Sequence, residues 1–179
     1  MGTTTALRAS DLLTLSDPPE GAHYELSGGE LIAVPGAGYR HEYVKGNVHR
    51  LLNNWDPDAG HGRVFGESMF TLSVDTARQP DVAFVTNDRV SGVSIDDNLI
   101  PFVPNLAVEV ISRSEAAEDA ERKVQQYLAA GVTEVWQVYP ESRVVHIRTT
   151  GSIREIRENQ TLESPVLPGF SAPVSTFFE

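Results

Sequence analysis

The run P-N-L-A-V-E-V-I-S at residues 104–112 constrains the fold more than any other stretch of this chain. It is apolar at almost every position, and a nearly continuous apolar run is typical of a central strand that is covered on both faces. Such a strand requires a sheet with further layers packed against it. Glu109 interrupts the run, and a buried carboxylate is costly unless it is paired or binds a metal. The sequence therefore predicts a central strand that carries an acid in need of a partner.

Two stretches have the periodicity of helices. Apolar residues at helical spacing predict one helix over residues 41–55. A second helix is predicted to start after a cap formed by Ser112 or Ser114 and to end before Gly131, because glycine commonly terminates helices. Both helices have one apolar face, so we expect them to pack against the sheet.

Several further stretches have the composition of strands. Gly28-Gly29 and Pro140-Glu141-Ser142 separate pairs of such runs and predict two hairpins. Residues 63–74 predict one bent strand or two short strands broken at Gly66, and the apolar tail is expected to pack onto the domain. We therefore predict an α/β (α+β) fold with a mixed β-sheet core, flanking helices and an N-terminal β-hairpin, in a single domain over residues 1–179. The predicted strands are residues 23–27, 30–34, 63–74, 81–85, 104–112, 134–139, 143–148 and 153–157.

Composition and charge exclude several classes of function. The chain has no cysteine, which excludes disulfides and thiol catalysis. It has no apolar run of signal-peptide length or of the ~18 residues of a membrane helix, so we expect a cytoplasmic protein without membrane association. The formal net charge of −11 argues against nonspecific binding to nucleic acid. It leaves room for a phosphate site that is built on metal ions.

Three charged residues on neighbouring elements suggest a catalytic site. Each has an ordinary explanation by itself: Glu109 could pair with an arginine, Asp81 could begin a strand after Pro80, and Lys123 could cover the core with its stem. Together, two carboxylates suit Mg²⁺ or Mn²⁺, and an ammonium group nearby could orient the attacking water. Lys123 is also one of only two lysines in the chain. The combination suggests hydrolysis of a phosphodiester.

Motifs along almost the whole chain resemble those of one bacterial protein family. They include Y-E-L-x-x-G-E-L at residues 24–31, R-Q-P-D-V-A-F-V at 78–85, L-A-V-E-V-I-S at 106–112, D-x-x-x-K-x-x-x-Y at 119–127 and G-V-x-E-V-W at 131–136. Together they resemble a bacterial family described as “putative restriction endonucleases”, within the PD-(D/E)XK nuclease superfamily. The resemblance implies a restriction-endonuclease-like core and DNA as the substrate.

The resemblance also assigns roles to residues. It implies that Asp81 and Glu109 bind Mg²⁺ or Mn²⁺, with the Val110 carbonyl as a third ligand. The lysine of the superfamily's E-x-K motif would be residue 111, which is isoleucine here, so the resemblance implies that Lys123 replaces it and positions or activates water. Three further residues are candidates to support the site by contacting the metal-binding side chains without binding the metal themselves: His41, Glu67 and Tyr127. Nucleases of this kind often pair to cut both strands, so we expect a homodimer by analogy.

A second hypothesis is a catalytically inactive nuclease-fold protein that serves as a binding or assembly module. The net acidity and Ile111 in place of the expected lysine favour it. A basic strip bordering the two carboxylates would weaken it, and the candidates for such a strip are Arg40, Lys45, Arg50 and Arg63.

Overall fold

A computed structural model describes residues 6–16, 18, 21–90, 98–113 and 115–179. Two short 3₁₀ helices, Ala9–Thr14 and Val174–Phe177, lie near its ends. The other elements in chain order are β1 (Ala22–Ser27), β2 (Glu30–Pro35), α1 (Tyr39–Trp55), β3 (Gly62–Gly66), β4 (Phe70–Ser73), β5 (Thr76–Arg78), β6 (Val82–Thr86), α2 (Asn87–Val90), β7 (Leu106–Val110), α3 (Ala117–Ala130), β8 (Glu134–Tyr139), β9 (Val144–Thr149), β10 (Ser152–Arg157), β11 (Thr161–Glu163) and β12 (Ser171–Pro173).

The apolar run around Glu109 forms β7, in which all five residues are buried. This strand lies inside a six-stranded sheet with the order β10-β9-β8-β7-β6-β3. β7 and β8 are parallel, with α3 as their connection, while the other neighbours in this sheet are antiparallel. A second, four-stranded sheet has the order β2-β1-β5-β4 and contains the N-terminal hairpin. The predicted mixed α+β fold, its central strand and both hairpins are confirmed.

The two faces of β7 pack against different layers. Val108 and Val110 belong to the largest apolar cluster, which includes α1 residues and the C-terminal segment. Ala107 packs on the opposite face with Val124 and Tyr127 of α3. Because side chains alternate along a strand, Glu109 lies on the α3 face. The predicted packing of the tail is confirmed, since three of its large apolar residues are buried: Leu167, Phe170 and Phe177.

One local prediction, the cap of α3, was wrong. The N-cap of α3 is Ala116, without a side-chain hydrogen bond, because the chain uses the residues after β7 to turn from strand to helix. Ser114 lies outside the described residues. Of the two alternatives predicted for residues 63–74, two short strands broken at Gly66 is confirmed, since β3 ends at Gly66 and β4 begins at Phe70. Glu67, with a φ of 45°, follows the break, which divides the segment between two sheets. β3 joins the six-stranded sheet and β4 joins the four-stranded one.

None of the helices in the described part of the chain combines the length and the apolar character needed to cross a bilayer.

Candidate active site

Asp81, Glu109 and Lys123 line one cleft of about 400 Å³. β6 and β7 pair with Val82 opposite Val108, so the continued register places Asp81, just before β6, beside Glu109. The backbone N–H of Val110 donates to Asp81 Oδ2 over 2.7 Å. Lys123 Nζ donates to Glu109 Oε2 over 3.3 Å. The structure therefore brings together three groups that are far apart in sequence.

The other three predicted residues lie around this cluster in different ways. His41 Nε2 lies 3.1 Å from Asp81 Oδ2, and the Tyr127 hydroxyl donates to Glu109 Oε1 over 2.7 Å. Glu67 lines the cleft, but its carboxylate accepts a hydrogen bond of 2.8 Å from Lys45 Nζ. Two of the three thus contact the central carboxylates with their side chains.

Sequence reasoning missed a fully buried carboxylate beside this cluster. Glu25 in β1 has no exposed surface, and its Oε2 accepts from Arg78 Nη1 over 2.6 Å and lies 3.7 Å from Lys123 Nζ. Its Oε1 accepts from the backbone N–H of Gln79 over 3.0 Å. The one sequence signal was an acid between Tyr24 and Leu26 in a strand, which does not reveal its partner.

Arg78 is held from a second side by α3. Its Nε and Nη2 donate to Gln126 Oε1 over 2.8 Å and 2.6 Å. Gln126 in turn donates to Ser27 Oγ over 2.9 Å. This network connects β1, β5 and α3, and Glu25 and Arg78 also line the cleft.

Burial and neighbouring charges shift the pKa values of the cluster. Burial raises the pKa of Glu109 to about 7, and Asp81 adds to this increase, although the Lys123 ammonium opposes it. Burial lowers the pKa of Lys123, but the surrounding carboxylates of Glu109 and Glu25 outweigh burial and leave this pKa raised. Burial and the charge of Glu109 raise the pKa of Tyr127 well above its usual value. Near neutral pH, Lys123 is therefore an ammonium group and Tyr127 a neutral donor.

The same balance can be seen at His41. Burial lowers the pKa of His41, but the hydrogen bond and the charge of Asp81 outweigh burial, so the net change is an increase. His41 is therefore more readily protonated than a free histidine, and it contacts Asp81 Oδ2.

The chemistry of these donors fits a hard divalent cation. Within the described ranges, no group of three or more His, Cys, Asp or Glu side chains forms a metal-ligand cluster. Mg²⁺, however, is usually held by one or two carboxylates together with water and phosphate oxygens. Asp81 Oδ1 accepts no hydrogen bond from the described residues, and a cation would stabilise the ionised form of Glu109 against its burial.

The Val110 backbone adds a possible third oxygen. In a β-strand, the N–H and C=O of one residue point towards the same edge. The Val110 N–H points to Asp81, so its carbonyl points to the side of β7 on which Asp81 lies. The Val110 carbonyl is therefore a candidate third ligand at the edge of β7 next to Asp81.

The candidate basic strip does not form a continuous positive surface. Arg40 Nη1 lies 2.8 Å from Glu141 Oε1, and Lys45 Nζ contacts the carboxylates of both Glu42 and Glu67. Nearby acids therefore offset the charges of Arg40 and Lys45. The remaining two residues of the strip use their guanidinium groups for local hydrogen bonds: Arg50 to Asn47, and Arg63 to the carbonyls of Ala59 and Gly62.

The pKa of Glu109 predicts how stability varies with pH. Because this pKa is raised from 4.5 to about 7, the folded chain holds the proton more tightly than the unfolded chain. The free energy of unfolding should therefore fall as the pH rises through that interval, and Glu109→Gln should remove this contribution. Urea unfolding in EDTA would measure the free energy of unfolding at about pH 5 and about pH 8. Between these two values it should decrease more in the wild type than in Glu109→Gln. Equal losses in both proteins would contradict the raised pKa.

Comparisons with known proteins agree with this architecture. The model of the Uma2 family, described as “Putative restriction endonuclease”, matches residues 9–175. A crystal structure of a “putative nuclease belonging to DUF820” from Anabaena variabilis ATCC 29413 superposes with a TM-score of 0.84. The two chains share 16% identity, and the match covers 96% of this chain and 97% of that chain, so the likeness shows a shared fold. A search of curated proteins found no match.

Proposed function

The chain belongs to the Uma2 family of restriction-endonuclease-like proteins, and from this premise we propose that it is a metal-dependent endonuclease that hydrolyses phosphodiester bonds in DNA. The observation that carries the proposal is the convergence of Asp81, Glu109 and Lys123 in one cleft. A nuclease function in general is supported by the family and by the fold of the related structure.

The carboxylates of Asp81 and Glu109, with the Val110 carbonyl, would hold Mg²⁺ or Mn²⁺. Such an ion, when bound, polarises the scissile phosphate and lowers the pKa of a bound water. His41 supports this role by holding Asp81 Oδ2, which leaves Oδ1 available. Tyr127 supports it by fixing Glu109 Oε1 from within the core.

Lys123 acts in this proposal as a fixed positive charge. Its pKa is raised, so it cannot easily accept the proton of the attacking water. An ammonium group at this position orients the water and offsets the negative charge that develops on the phosphate. Its contact with Glu109 supports the view that α3 supplies the lysine that residue 111 lacks.

The inactive binding or assembly module is the second candidate. Two observations favour it: Ile111 in place of the expected lysine, and acids that offset the charges of Arg40 and Lys45. This candidate requires no divalent cation at Asp81. A homodimer, a DNA substrate and a location in the cytoplasm stay predictions.

The test of the proposed function is a cleavage assay with single- and double-stranded DNA. We expect nicks or breaks with Mg²⁺ or Mn²⁺ and none with EDTA, because the carboxylates alone cannot activate water. Fluorescently labelled oligonucleotides resolved on a denaturing gel would report the products. Binding of Mn²⁺, followed by its electron paramagnetic resonance signal, provides a readout that does not depend on finding the right sequence. A protein that neither cleaves DNA nor binds Mn²⁺ would support the binding module instead.

A further inference from the structure

We propose that Glu25 is a positioning residue that anchors the Lys123 ammonium group in the cleft when Glu109 is engaged by a cation. The role of this anchor in cleavage rests on the proposed function. The interaction between Glu25 and Lys123 requires neither metal nor DNA and can be tested by itself. Lys123 has two carboxylate neighbours, Glu109 at 3.3 Å and Glu25 at 3.7 Å. Of these two, Glu109 is the candidate metal ligand. Glu25 would therefore stay with Lys123 when Glu109 binds the cation.

Glu25 is fixed in place by two donors. Arg78 Nη1 binds its Oε2 and the Gln79 backbone N–H binds its Oε1. Arg78 is itself fixed by Gln126, and the Glu25 side chain has no exposed surface. Glu25 lines the cleft, but its carboxylate could not rotate to become a metal ligand without losing both bonds. It can remain a constant negative charge beside Lys123.

The charges explain why a second anchor is needed. The Lys123 side chain is 14% exposed, and the nearby Arg78 guanidinium repels its ammonium group. A divalent cation at Glu109 would remove the negative charge of Glu109 from Lys123 and add a further repulsion. Glu25, at 3.7 Å, is then the nearest carboxylate that still attracts Lys123, and Glu115 adds a smaller attraction. Without Glu25, the ammonium group would move out towards solvent and lose its place beside the phosphate.

Nuclear magnetic resonance of the lysine ammonium groups can test this directly. The chain has only two lysines, so lysine labelled with ¹⁵N at Nζ gives two ammonium signals. Lys45, held by Glu42 and Glu67, serves as an internal reference. In the metal-free Glu109→Gln variant, we expect the Lys123 ammonium signal to persist, because Glu25 still lies 3.7 Å from it. Addition of Glu25→Gln should broaden or abolish the Lys123 signal and leave the Lys45 signal unchanged. Loss of the Lys123 signal in Glu109→Gln, or its persistence in the double variant, would overturn the proposal.

Glu25→Gln also leaves Arg78 without its counter-charge and could prevent folding. A second variant, Glu25→Gln with Arg78→Gln, removes both charges and keeps hydrogen-bonding groups at both positions. The same loss of the Lys123 signal in the Glu109→Gln background is expected, and a retained signal would again overturn the proposal. Glu134→Gln is the matched control for burial. Glu134 is 2% exposed and bonds Trp136 and Ser164 away from the cleft, so its replacement should not affect Lys123.

Cleavage kinetics provide a second test of the role of Glu25. Misplacement of Lys123 in Glu25→Gln should lower kcat on the order of 10²-fold with little change in KM, and the effect should vanish in a Lys123→Met background. A purely structural role would instead lower kcat equally in both backgrounds. If the wild type neither cleaves DNA nor binds Mn²⁺, the proposed function fails, whereas the resonance experiment, which uses neither metal nor DNA, still decides the role of Glu25.

Discussion

Asp81→Asn and Glu109→Gln are each expected to lower Mg²⁺-dependent DNA cleavage on the order of 10³-fold or more. In the proposed site, either substitution replaces a charged candidate ligand with a neutral amide, which would bind the cation more weakly. The amides keep the size of the side chains and can still accept the hydrogen bonds from Val110 and Tyr127. The loss should therefore come from chemistry and not from unfolding. Cleavage rates with labelled oligonucleotides would measure the loss of activity. Circular dichroism would check that each variant is folded.

Lys123→Met should have a similarly large effect, and the chain offers matched controls. Lys45→Met removes the only other lysine, which is paired with Glu42 and Glu67, and should leave most activity intact. Glu134→Gln removes another buried acid away from the cleft and should also cleave like the wild type. Full activity in Asp81→Asn would mean that another site, or a contaminating nuclease, performs the cleavage. Loss of activity in Lys45→Met would shift attention to the Glu67 side of the cleft.

Arg78→Met is expected to lower the free energy of unfolding by about 3–5 kcal/mol. Arg78 and Glu25 are 2% and 0% exposed, so the substitution leaves a buried carboxylate whose remaining contacts are Lys123 and the Gln79 backbone N–H. It also removes the two hydrogen bonds to Gln126 that tie β5 to α3. Urea denaturation of the metal-free protein near neutral pH would measure the change.

Arg40→Met is the control for this prediction. Arg40 and Glu141 form an ion pair of 2.8 Å, close in length to that of Arg78 and Glu25, but their side chains are 60% and 44% exposed. Water screens such a pair, so its loss should cost no more than about 1 kcal/mol. Equal effects of the two substitutions would show that burial does not control the strength of these pairs. A small effect of Arg78→Met would show that Lys123 alone can neutralise Glu25.

Local sequence patterns determined most of the secondary structure of this protein. The apolar run around Glu109 could only be a central strand, and Gly131 ends α3 with a φ of 99° that few other residues adopt. Gly28-Gly29 likewise fixed the first hairpin, since both glycines have positive φ values. These features depend on residues that are close in the chain, so the sequence alone was enough to predict them.

The sequence also indicated which residues could do chemistry, because an acid in an apolar strand needs a partner. It could not show which partner. Lys123 lies beside Glu109 only because α3 packs on the face of β7 that carries Glu109, and Glu25 meets Arg78 only because β1 pairs with β5. These contacts join residues 14 and 53 positions apart. Long-range packing and sheet pairing set them, and a single sequence does not encode those distances in any local pattern.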